Sequence, residues 1–401
     1  MAGISIGLRT ATMSGLSFRR FTHSSSLREI APGHLHALLA PHAEFLARHR
    51  APLPADPDRI HYEATAVAIL QPHPDTPAEL VDALWHIHEM ATPAAMEALL
   101  DEARRTGIEL DPQQHYSPAD IATQFWLISP EALRRKHAEQ AVVRRKSFES
   151  FSSRRRALPE GRGPSTECLA ALEAQVAGWF QERRRGVGAR VFLFEHEHEL
   201  RLVVRHGGPY RREGSLDDGE PGSVHYRPMA FGVIIFDRST WELRINGGGK
   251  RERQLYRQAV GSHLFGDAEF FPARGSRYTL EPLRSEGRRS LVCADIPGIR
   301  HVRLTELRMF LGGLYRHARI EQAADVFLAL EESGQSIPDD ALLTAAKFEV
   351  VFSDSPKPRP VTVHHGNVAQ YARDEDADLV EAFLRNRGFV QGGAHAALAC
   401  A

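Results

Sequence analysis

The sequence predicts a multidomain protein in which an all-α N-terminal domain is followed by an α+β region with mostly antiparallel strands. Three observations predict it. A hydroxyl residue followed by proline recurs at 76–77, 92–93, 117–118 and 129–130; the hydrophobic period changes from helical to alternating near residue 189; and positive charge is concentrated between 134 and 190. At 401 residues the chain is long enough to bury more than one core.

The N-terminal stretch to Glu29 carries four arginines before its first acid and resembles a transit peptide. Arginine outnumbers lysine nine to one along the whole chain, however, a bias expected of a GC-rich bacterial genome. Residues 1–15 are therefore set aside as a disordered N-terminus, with Met13 a possible start.

Residues 16–130 read as the all-α domain. In "TPAE", "TPAA", "SPAD" and "SPEA" the hydroxyl is placed to cap a helix, and proline follows at the first helical position, where its missing N–H costs nothing. Leu80, Ala83, Leu84, Ile87 and Ala91 then recur on one helical face. Leu35, Leu38, Leu39, Phe45 and Leu46 add a second apolar set.

The segment 131–188 is expected to be a basic helical connector. Blocks 1–133, 134–190 and 191–401 carry net charges of -7, +8 and -2, so the overall -1 is a cancellation. Arg134, Arg135 and Lys136, then Arg144, Arg145 and Lys146, then Arg154, Arg155 and Arg156 repeat every ten residues. No glycine or proline interrupts the chain between Pro130 and Pro159. One helix of about 28 residues and about 40 Å fits that interval, with cations all round it. A second helix at 167–185 ends in Arg183, Arg184 and Arg185, where cations also complement the helix dipole.

Residues 189–312 read as an α+β domain. "RVFLFEH", "LRLVVRH", "MAFGVIIFD", "WELRIN", "RYTLEPL", "RSLVCAD" and "HVRLTEL" are expected strands, and "KRERQLYRQAVGSHLFG" a helix. Residues 313–391 read as a small α+β subdomain, two helices and then a hairpin, in the order of a winged helix. The second of those helices, at 338–346, carries Asp339 and Asp340 and no cation before its end, which suits docking better than phosphate contact. Residues 392–401 are expected to be a disordered tail.

Three cysteines are too few and too scattered for a disulfide framework or a thiolate zinc site, and the apolar runs fall short of the ~18–20 residues of a spanning helix. A cytoplasmic protein without a membrane partner is the expectation. His86 and His88 point apart on a helix and cannot share an ion. His196 and His198 in "HEHEL" would share a strand face, with His364 or His365 as further ligands. The glycines 247–249 precede Lys250 and Arg251, which could take an anion at a helix start.

In "IIFDRSTWELRIN", Asp237 ends one strand while Glu242 and Arg244 share a face of the next. The pattern resembles the core of PD-(D/E)xK nucleases, with Arg244 where lysine is usual and a short gap between the acids. The resemblance implies carboxylates that hold Mg²⁺ to activate water and a base that assists at phosphate.

Three functional readings follow. The first is a nucleic-acid-binding accessory or regulatory protein, which contacts DNA or RNA phosphates without sequence preference through the cations of 134–156 and 183–185 and uses no cofactor. The second is a metal-dependent nuclease using Asp237, Glu242 and Arg244. The third is a non-catalytic scaffold that binds a protein through its helical domain.

Overall fold

The computed structural model describes residues 24–70, 75–111, 117–153, 164–217, 220–273, 275–372 and 376–391. Residues 1–15, the 392–401 tail and Arg154, Arg155 and Arg156 therefore lie outside the described residues. The chain forms two compact units, Met1–Gln140 and Ala141–Ala401.

The first unit is helical: α1 (Ser24–Leu27), α2 (Pro32–Leu39), α3 (Ala43–Arg48), α4 (Tyr62–Leu70), α5 (Ala78–Met90), α6 (Pro93–Thr106), α7 (Pro118–Ile128) and the start of α8 (Pro130–Arg144). Hydroxyl caps act at Ser/Thr-Pro sites: Thr92 accepts the Ala95 N–H, Ser117 the Asp120 N–H and Ser129 the Ala132 N–H. Leu80, Ala83, Leu84, Ile87 and Ala91 are all buried in one core with Leu35, Leu38, Leu39, Phe45 and Leu46. His86 is buried there too, bonded through Nδ1 to the Asp82 carbonyl and stacked on Trp126. A cleft between α2, α5 and α7 leaves Trp126 and Leu127 partly open.

The second unit is the α+β region. Its elements are β1 (Ser147–Ser152), α9 (Thr166–Glu182), β2 (Arg190–Glu195), β3 (Glu199–Gly207), β4 (Arg211–Asp217), β5 (Glu220–Tyr226), β6 (Met229–Asp237), β7 (Glu242–Asn246) and α10 (Lys250–Phe265). They continue with α11 (Glu281–Ser285), β8 (Ile299–Gly312), β9 (His317–Gln322), α12 (Val326–Glu332), β10 (Leu342–Phe352), β11 (Arg359–His364), β12 (Val368–Gln370) and α13 (Ala377–Asn386). Ten strands form one antiparallel sheet in the order β2-β3-β6-β7-β1-β12-β11-β10-β8-β9, and β4 and β5 form a separate two-stranded ribbon.

Helices α9 and α10 cover one half of the sheet with Leu172, Val176, Phe180, Leu255 and Tyr256 against Leu202, Ile234, Phe236, Leu243 and Ile245. The α11–α13 helices contribute Leu283, Leu330, Val380 and Phe383 to a second core on the other half. Among the described residues, no helix is long and apolar enough to cross a membrane.

Four expectations change. The single basic helix is not formed: α8 ends at Arg144, and "SFESFS" becomes β1, paired with β7 on one side and β12 on the other. A central strand satisfies its backbone groups on both sides, and that tertiary gain outweighs a local sequence compatible with helix. "RYTLEPL" and "RSLVCAD" are not strands but run into α11 and a 3₁₀ turn at Gly287–Leu291. The winged-helix order is absent, because "PDDALLTAA" supplies the start of β10 and only α12 is helical between β9 and β10. Finally, 189–312 and 313–391 are not separate sheets, since β8 pairs with both β9 and β10.

The close approach of α10 to the sheet depends on Gly232, opposite Val204 on β3. A Cβ at this position would stand 2.5 Å from the Tyr256 hydroxyl and 2.6 Å from its ring. Gly232→Ala is expected to cost about 1–3 kcal/mol as an overpacking change, read as a lower urea midpoint. An unchanged midpoint would contradict this packing.

Candidate functional site

The turn between β6 and β7 brings together charges from distant parts of the chain. Asp237 sits opposite both Glu199 and Glu242 across the sheet. Alternation on β7 sends Leu243 and Ile245 into the α9/α10 core and leaves Glu242 and Arg244 on the other face. The Arg244 side chain is 8% exposed and lies among four carboxylates. Its Nε donates to Glu242 Oε1 at 3.2 Å; Nη2 donates to Glu381 at 3.0 Å and to Asp237 Oδ2 at 3.4 Å; and Nη1 is 3.7 Å from Glu199. Arg277 forms an ion pair with the second oxygen of Glu242, and the Tyr371 hydroxyl donates to Glu381.

Asp237 Oδ1 accepts the Ser239 N–H and hydroxyl and the Thr240 N–H. Burial pushes its pKa up, but those hydrogen bonds and Arg244 outweigh it and hold the carboxyl below its ordinary value. The surrounding carboxylates, Glu381 and Glu242 foremost, more than offset the burial of Arg244 and keep its guanidinium firmly protonated.

Asp237, Glu242 and Arg244, singled out from the sequence, are thus together, but wired to one another. The guanidinium occupies the space between carboxylates that a cation would need. Among the described residues, no group of three His, Cys, Asp or Glu side chains is placed to hold a metal ion. His196 and His198 are not on a strand face; they lie at the exposed β2–β3 turn, on the rim of a cleft of about 590 Å³ beside this cluster. Glu199, Arg277 and Glu381 were not foreseen, because sequence spacing carries no trace of a contact 137 residues long such as Arg244 to Glu381.

The glycine turn before α10 already holds an anion of the protein's own. Glu252 folds back to accept the Gly248 N–H at 2.9 Å, and it also receives Tyr256 and faces His206. Burial opposes ionisation there, yet these donors hold Glu252 below its ordinary range. Lys250 and Arg251 are exposed beside it.

The basic segment divides. Arg134 pairs with Asp82 at 2.8 Å and lies over Trp126, while Lys136, 13% exposed, pairs with Glu139 and Glu102. Arg135 and Lys146 are exposed, and Arg145 is half-buried, donating to the Phe231 carbonyl. Arg144 is the last residue of α8.

Arg183, Arg184 and Arg185, at the end of α9, fall into a larger set. Gly207 at the end of β3 packs against the Arg185 carbonyl, and Arg227 donates to the Arg184 carbonyl. Arg227 also lies 5.3 Å from the Tyr210 ring centre, and Tyr210 contacts His225. Arg211 and Arg212 begin β4, opposite Tyr226 and His225. Arg183 stacks on Trp179 at 3.9 Å. Six arginines and four aromatic rings, Trp179, Tyr210, His225 and Tyr226, therefore gather where the β4–β5 ribbon leaves the sheet. Arg183, Arg184, Arg211, Arg212 and Arg227 are exposed. Among the described residues, Arg184, Arg185, Arg212 and Arg227 are in no carboxylate ion pair.

Comparison with known proteins finds no family model that matches the chain and no similar curated protein.

Proposed function

We propose that the protein binds nucleic acid through its phosphates, without sequence preference, using the arginines at the base of the β4–β5 ribbon and the end of α9, and that it serves as an accessory or regulatory factor. The supporting observation is that Arg183, Arg184 and Arg185 at the end of α9 meet Arg211, Arg212 and Arg227 at the base of the ribbon, five of them exposed, and that Arg184, Arg185, Arg212 and Arg227 are in no carboxylate ion pair among the described residues. Guanidinium groups suit phosphate because their donors form a planar fork that engages two oxygens together. Tyr210 and His225, both exposed, add faces on which an unpaired base can stack. A two-stranded ribbon is also narrow enough for the major groove of a duplex, about 12 Å wide.

The reading retains Arg183, Arg184 and Arg185 from the sequence and replaces the triplets at 134–146 by ribbon residues. The nuclease reading is the weaker one, because Arg244 fills the position that a catalytic cation would take. The test is equilibrium binding of the purified protein to a fluorescent duplex and to a fluorescent single strand at low salt. Binding of two unrelated sequences with similar affinity is expected; absence of binding at about 50 mM salt would overturn the reading.

A further inference from the structure

We infer that a cleft in the far half of the sheet is a binding site for a small anion carrying an apolar body, the chemistry of an aryl phosphate or a nucleoside monophosphate. Strand β9 pairs with β8 only from Glu306 onward, so His301–Arg303, paired with β10 on one side, has no strand on its other side among the described residues. The 3₁₀ turn Gly287–Leu291 and the first residues of α12 wall this gap and leave a cleft of about 720 Å³. That volume lies within the ~300–1,000 Å³ of ordinary small-molecule sites.

Its lining combines two chemistries. Arg288 and Arg289 stand exposed at one side and Arg303 at the other, with His301 beside it. Asp325 is the carboxylate that lines the cleft, and it is already engaged: Oδ1 accepts the Phe327 and Leu328 N–H groups, and Oδ2 lies 4.0 Å from Arg288. Arg303 is loosely held, 3.8 Å from Glu349, and its Nε is buried with no acceptor among the described residues. Positive charge thus exceeds what the cleft's own acid can neutralise.

Between these cations the surface is aliphatic, from Leu291 and Val302 to Val292 and Leu328, which are 53% and 45% exposed. A bare phosphate would leave those two side chains in water; a ligand with a flat apolar body would cover them. The cleft is built on β8, seven places along the sheet from β3, so it is independent of the arginines at the ribbon.

The experiment is calorimetric titration with phenyl phosphate, adenosine monophosphate and inorganic phosphate. At least one of the two organic phosphates is expected to bind about tenfold or more tightly than inorganic phosphate, a difference set by covering the aliphatic surface. Arg288→Ala with Arg289→Ala should weaken that ligand about tenfold, and Leu328→Asp should erase its advantage over inorganic phosphate. All these positions are exposed, so unchanged melting would show that the variants are folded. Arg184→Ser with Arg212→Ser and Arg227→Ser should leave the titration as it is. The inference is overturned if neither organic phosphate exceeds inorganic phosphate, if the cleft variants bind like the wild type, or if the ribbon variant loses the ligand.

Discussion

Replacing Arg244 by alanine is expected to destabilise the sheet-bearing unit by about 3–5 kcal/mol, the cost of breaking a buried ion pair from one side. The change strips a shared cation from Asp237, Glu242, Glu199 and Glu381. Partial partners stay behind, with Arg277 on Glu242, Arg201 on Glu199 and Tyr371 on Glu381, so the cluster weakens rather than vanishes. Arg244→Lys should recover only part of the loss, because an ammonium cannot spread its donors over several carboxylates.

The pH dependence gives this prediction a sign. In the wild type, Asp237 ionises below its ordinary value. Its contribution is therefore complete above the unfolded carboxylate range and is lost as pH falls through the lower folded value. Without Arg244, Asp237 loses that support and takes up a proton more readily. The deficit of Arg244→Ala should consequently shrink between pH 7 and about pH 4, measured as urea midpoints of variant and wild type. A deficit that is constant with pH, or below about 1 kcal/mol, would mean that the cluster is not held as an ionised network.

The second large effect concerns affinity. Arg184→Ser with Arg212→Ser and Arg227→Ser is expected to weaken duplex binding on the order of 100-fold at low salt, because each charge-assisted phosphate contact contributes about 1 kcal/mol or more. None of the three side chains is in a carboxylate ion pair among the described residues, so the stability lost should be limited to that of the Arg227 bond to the Arg184 carbonyl, about 1–3 kcal/mol. Arg134→Ser with Lys136→Ser should do the reverse. Those cations neutralise Asp82, Glu102 and Glu139, and removing them should lower the stability of the helical unit and leave nucleic-acid affinity alone.

That contrast also marks how far the sequence can be read. The first unit was legible because Thr92, Ser117 and Ser129 announce their helices and the apolar residues of α5 keep one period. Strand β1 was not, because Phe148 and Phe151 are spaced as helical neighbours and no glycine or proline interrupts the run. Its extended form is imposed by β7 and β12, 90 or more and over 210 residues away. Similarly, Leu342–Ala346 is apolar enough for a helix and becomes strand because β8 pairs with it.

Charge was legible only as an excess. Net charge along the chain located cations between 134 and 190, but whether each meets a carboxylate depends on tertiary contacts. Arg134 and Lys136 do; Arg184 and Arg185 do not, among the described residues. The ribbon left one trace, the pairing of aromatic and arginine on both strands at its base, Tyr210–Arg212 and Tyr226–Arg227. In the hairpin of Asp237, Glu242 and Arg244, nothing local in the sequence reveals that Glu381 and Glu199 converge on Arg244.

The central claim, that phosphate contact resides in the ribbon arginines, is tested most directly by the slope of log binding constant against log salt between about 50 and 200 mM. Each phosphate neutralised on a duplex contributes about 0.9 to that slope, so the wild type should be steep and the Arg184/Arg212/Arg227 variant shallower by about 2.7. The Arg134/Lys136 variant should keep the wild-type slope. Equal slopes for wild type and ribbon variant, or a drop confined to the Arg134/Lys136 variant, would contradict the account.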